Sequence, residues 1–159
     1  MMKKIIAVAA FLLCSTAAQA GIVMGGTRVI YQEGKREAAI SVTNADTHTP
    51  YLVQSWVENY VEKEQGPVPF IVTPPLFRLK AGEKGFVRVV RSGKKLPDDR
   101  ESMFWLNIKA IPSSKKVAGV NTLQIAVNTR IKLMYRPASV KGKPETVADQ
   151  LEWHREGND

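Results

Sequence analysis

Cysteine is almost missing from this chain. The 159 residues hold one, Cys14, and it lies in an N-terminal stretch that reads as a removable leader. The rest of the chain therefore has no disulfide framework. Small exported domains often use disulfides to make up for thin cores, so stability here must come from burial. Histidine is scarce too. His48 falls in a turn-rich segment and His154 in a polar tail. A Ser-His-Asp set needs a histidine held by packing, and two isolated histidines are not the spaced cluster that metal ligation requires. Met24-Gly25-Gly26-Thr27 lacks the lysine of a phosphate loop and precedes a strand pattern, not a helix. No catalytic role can be filled, so no enzyme, metal or cofactor is expected. Runs of like charge are also missing. Of 23 cations, Lys3 and Lys4 leave with the leader, and the remainder exceed the 15 carboxylates by six. They are scattered, with no run of five and no patch interleaved with aromatics. That pattern reads as a solvated basic surface, and nucleic acid is not an expected partner.

The leader itself has three parts: Lys3-Lys4, the apolar run 5–13, and the small-x-small site Ala18-Gln19-Ala20. This is the layout of a signal peptide cleaved before Gly21. The apolar run falls short of the ~20 residues that span a bilayer. Bulky Leu13 before Cys14 argues against a lipoprotein site. No later apolar run is long enough to span, so no membrane insertion is expected after cleavage.

From residue 21 onward no helical period is visible. Short β-rich runs alternate with turn signals, which predicts an all-β sandwich or barrel. The expected strands are 22–31, 37–43, 51–60, 70–73, 76–79, 86–91, 103–111 and 121–135. Seven or eight strands over this length fit an immunoglobulin-like sandwich. Its Cys…Trp…Cys spacing is absent, although Trp56 on the third strand is compatible with a core tryptophan. Thr73-Pro74-Pro75 cannot donate to a ladder and marks an edge or a change of sheet; either X-Pro bond is able to be cis. After Tyr135-Arg136-Pro137 the chain turns Lys/Gly/Pro-rich, and Leu151-Glu152-Trp153 then begins something apolar. The expected division is a leader at 1–20, one sandwich at 21–137, and a linker with the incomplete start of a second sandwich at 138–159.

Two places invite a binding role. In the run 121–135, Leu123, Ile125 and Val127 share one face by the period of two, while Gln124, Asn128, Arg130 and Lys132 share the other. A half-buried strand explains this alternation. So does an edge strand that offers apolar side chains to another chain, a hazard for aggregation unless it is used. Arg28, in Thr27-Arg28-Val29-Ile30-Tyr31, is either an ordinary solvent-facing arginine or one of two cations paired with Lys132 in a cleft. Desolvated like charges are costly unless an anion joins them, and a carboxylate suits arginine's bidentate geometry.

The stretch 96–112, Leu-Pro-Asp-Asp-Arg-Glu-Ser-Met-Phe-Trp-Leu-Asn-Ile-Lys-Ala-Ile-Pro, resembles without a gap the signature of periplasmic pilus-assembly chaperones of the chaperone–usher pathway. Thr27–Tyr31, Pro50-Tyr51-Leu52-Val53-Gln54-Ser55-Trp56 and Ile131-Lys132-Leu133-Met134-Tyr135-Arg136-Pro137 resemble the same family. The resemblance implies an N-terminal domain that binds pilin subunits and delivers them to an outer-membrane usher. Motif position assigns the pilin's terminal carboxylate to Arg28 and Lys132, the lent strand to Leu123, Ile125 and Val127, and an inter-domain ion network to Glu101 and Arg136. The short 113–120 connection resembles the subfamily serving rod-like pili. Family members carry a second sandwich, whereas this chain ends 22 residues after Pro137. The expectation is therefore an impaired chaperone that self-associates through its last strand. The competing reading is a secreted structural or adhesive immunoglobulin-like module.

Overall fold

The computed structural model describes residues 21–61, 66–93, 95–114, 123–142 and 151–154. Among these, nine strands form: β1 (Ile22–Met24), β2 (Arg28–Gln32), β3 (Ala38–Asn44), β4 (Tyr51–Asn59), β5 (Phe70–Thr73), β6 (Leu76–Leu79), β7 (Lys84–Arg91), β8 (Ser102–Pro112) and β9 (Val127–Arg136). They make two sheets, β1-β3-β7-β5 and β2-β9-β8-β4-β6. All pairings are antiparallel except β2 with β9, which run parallel. This is the expected all-β immunoglobulin-like sandwich.

The alternation that marked the strands is the reason the two sheets meet. Phe104, Leu106, Ile108 and Ala110 of β8 point inward, as do Ile131, Leu133 and Tyr135 of β9 and Val87 and Val89 of β7. Leu133, Leu106 and Val87 are fully enclosed, and burying such a side chain stabilises the fold by about 1.5–3 kcal/mol. At one end the core is aromatic. Phe70 meets Tyr31 and Phe104 edge-on, with centroids 5.4 and 5.2 Å apart.

The count exceeds the expected seven or eight because the first expected strand is two strands in different sheets. The chain crosses between them at Gly25-Gly26. Gly25 N–H donates to the Ser41 carbonyl at 2.8 Å, and a Cβ on Gly25 would collide with the Ser41 hydroxyl. Residues 73–75 are a second crossing, from β5 in one sheet to β6 in the other. The Thr73–Pro74 bond is cis. The freed carbonyls of Pro74 and Pro75 accept from Ser55 Oγ and Ser55 N–H, both at 2.9 Å.

Trp56 is not a core tryptophan. Val53, Ser55 and Val57 take the inward positions of β4, which leaves Trp56 on the outer face, where its Nε1 donates to Glu58 Oε1 at 2.8 Å. The last strand begins at Val127, not at 121; residues 123–126 lie outside the ladder. The leader and the 115–122 connection are outside the described residues. Leu151 and Trp153 are exposed.

Candidate functional site

The parallel pairing of β2 with β9 decides the geometry of the two cations. Arg28 and Lys132 are direct partners in the register, so their side chains leave neighbouring strands on the same face. The inward positions belong to the next residues, Val29 and Leu133, which are buried. Both cations are exposed, so they are not desolvated in this chain. Among the described residues neither takes part in an ion pair. Two adjacent cations held by backbone register and lacking a counter-charge fit one anionic group between them.

β9 is not an edge strand along its whole length. β8 pairs with it from Val127 to Tyr135, but β2 covers its other side only from Lys132 to Arg136. The half from 127 to 131 thus has one open edge, ending where the cation pair begins. Leu123, Ile125 and Val127 are 85%, 68% and 59% exposed, which excludes the reading in which this alternation is simply core. An open strand edge with unburied apolar side chains is a template for pairing with another chain.

Glu101 and Arg136 meet at 3.1 Å, and Arg136 also donates to the Gly142 carbonyl. A partly exposed pair of this kind contributes about 0–1 kcal/mol. The surrounding ties are more extensive than the sequence indicated. Glu33, just beyond β2, accepts from the Ala138 N–H at 2.9 Å and lies 3.7 Å from Arg91. The Arg91 guanidinium donates to the Tyr135 hydroxyl at 3.1 Å and sits over its ring. The Ala138 N–H first, then the Tyr135 hydroxyl and Arg91, hold the Glu33 carboxyl below the usual glutamate value. Burial, with the Glu33 contact added, pushes the Tyr135 hydroxyl up.

The model for pili and flagellar-assembly chaperones, PapD N-terminal domain, matches residues 21–141. The chain belongs to this pilus-chaperone family. The chaperone protein FimC of Escherichia coli K12 is 46% identical over 143 residues, covering 89% of this chain and 58% of FimC. The probable fimbrial chaperone LpfB of E. coli O157:H7 is 44% identical over 160 residues, 99% of this chain and 68% of LpfB. Among solved structures, the Salmonella enterica SafB chaperone in complex with the SafA pilin superposes with a TM-score of 0.75 at 40% identity, over 90% of this chain and 67% of the other. The periplasmic chaperone SfaE gives 0.72 at 40% identity, over 85% and 67%. The chain thus spans under two thirds of the length of FimC. The pilus-chaperone family is a family of chaperones, not of enzymes.

Both histidines are exposed, His48 in a bend of the matched domain and His154 in the tail beyond it. Among the described residues no group of three or more metal-ligating side chains converges. Sequence reasoning missed Glu33, Arg91 and Tyr135, and it missed Glu58 and Trp105 beside Arg130. Strand parity put Trp56 and Glu58 on one face, but no sequence signal gave the register that sets Glu58 opposite Trp105 and Trp56 opposite Asn107.

Proposed function

We propose that this chain binds and stabilises pilin subunits in the periplasm and delivers them to an outer-membrane usher. It lends the open half of β9, with the segment 123–126 that leads into it, to the subunit and anchors the subunit's C-terminal carboxylate on Arg28 and Lys132. This is β-strand addition, of which chaperone–pilin donor-strand complementation is itself an established example. The lent side chains are Leu123, Ile125 and Val127. Glu101 and Arg136 serve the junction with a following domain, and residues 1–20 are the export leader. The observation that carries the reading is the register Arg28↔Lys132: the open edge of β9 runs directly into Lys132, and Arg28 stands beside it at the start of β2. A strand entering beside 127–131 thus meets them where β2 blocks its path. The SafB–SafA complex is a precedent in a relative.

The test is co-expression with a pilin subunit. Lys132→Ala removes one partner of a charge pair that the bound subunit buries, a loss of about 2–5 kcal/mol. Co-purified pilin is expected to fall to background while the variant keeps a wild-type circular dichroism spectrum, and Arg28→Ala is expected to do the same. Pilin recovered at wild-type yield with either variant contradicts the carboxylate anchor.

A further inference from the structure

A second cluster lies on the outer face of the five-stranded sheet, beside the cation pair and outside the role proposed for it. Arg130 stands two residues before Lys132 and shares its face. The guanidinium sits 5.0 Å from the centroid of the Trp105 ring on β8. Beyond that ring, its Nη2 donates to Glu58 Oε2 on β4 at 3.2 Å. Glu58 is gripped from the other side by Trp56 Nε1, at 2.8 Å from its Oε1. Trp105 is stacked in turn on Tyr60, with centroids 5.2 Å apart. Two residues earlier on β9, Asn128 Nδ2 donates to Asn107 Oδ1 at 3.1 Å, and Asn107 is 1% exposed.

These contacts all fall on the half of β9 that has a strand on one side only. Its inward side chains hold it firmly only where β2 begins: Ile131 is buried, but Val127 is 59% exposed and Thr129 is half-buried. A strand end with one neighbour and little burial opens locally at low cost. An incoming strand needs this end already extended, since ordering it at the moment of binding opposes association. The side chains on the outer face supply what the missing neighbour does not, by tying β9 across β8 to β4.

We propose that Glu58 is a positioning residue for strand lending: through Arg130 and the Trp105 ring it holds residues 127–131 extended on β8, so that their outer edge is ready for another strand. The proposal rests on the strand-lending reading above.

Residue-resolved amide exchange on the chain without pilin tests the positioning directly. Glu58→Gln keeps the shape and the acceptor for Trp56 but removes the charge. It is expected to speed exchange of the β8-paired amides in 127–131 about fivefold, with β3 and β7 unchanged. Arg130→Met is expected to match it, and the combined variant to exchange no faster than either alone. On immobilised pilin, Glu58→Gln is expected to slow association about fivefold and leave dissociation unchanged, because the pilin strand itself covers the segment in the complex. Unchanged exchange at 127–131, equal acceleration in both sheets, or an effect confined to dissociation overturns the proposal. A wild-type chain that captures no pilin refutes strand lending instead, and the exchange measurement still decides whether Glu58 holds the segment.

Discussion

Glu33 fastens the end of β2 to the backbone that follows β9. Its carboxylate accepts from the Ala138 N–H, and its own N–H donates to the Arg136 carbonyl at 2.8 Å. Because its folded-state value is depressed below the ordinary glutamate value, the deprotonated form is favoured by folding. Its contribution to stability is complete above the unfolded value and is lost as pH falls through the folded one. Glu33→Gln is therefore expected to melt below wild type at pH 7, with the gap closing as pH is lowered beneath the ordinary glutamate range. Thermal melts at several pH values check this; a gap that widens on acidification contradicts the role. Nothing in the sequence around Gln32-Glu33-Gly34 marked this carboxylate, because its partners come from β7, from the end of β9 and from just beyond it. Trp56 carries the same lesson in reverse. Aromatic character favours the core, but strand parity with Val53 and Val57 decided the face.

At the scale of the element, the chain from 123 through β9 changes character along its length. From Ile131 to Tyr135 its alternate side chains are buried and anchor the strand. From 127 back to 123 the same alternation continues into solvent. The period was legible in the sequence, yet it carried no information on where the neighbouring strand stops, since that depends on β2 beginning at Arg28. Exposure now separates the two readings of this segment. Ile125→Asp is expected to leave folding intact, because Ile125 is 68% exposed, and to weaken pilin binding strongly, because the complex buries an unpaired carboxylate there. It is also expected to reduce any concentration-dependent self-association of the chain through the same edge. Gln124→Asp is expected to have much the smaller effect on both; the Gln124 side chain turns back to the Pro112 carbonyl and to Ser114. Binding isotherms with pilin, together with sedimentation at several concentrations, make the comparison. Equal losses for the two variants contradict an alternating insertion.

Over the whole molecule, the sandwich followed from alternation and turn signals. The stretches at 27–31, 96–112 and 131–137 were enough to point to the family. Sheet order, the parallel β2–β9 pair and the crossing at Gly25 were not readable, because each depends on contacts between residues far apart in the chain. The near-absence of cysteine, noted first as a constraint on stability, makes the central claim directly measurable. In a chain expressed from Gly21, single cysteines are introduced one at a time at Leu123, Gln124, Ile125, Ala126 and Val127. Their alkylation is timed with and without a pilin subunit, since thiol reactivity follows exposure. The account predicts that pilin slows alkylation about tenfold or more at Leu123→Cys, Ile125→Cys and Val127→Cys, and far less at Gln124→Cys and Ala126→Cys. Protection that is uniform along the segment, or absent from it, contradicts strand lending.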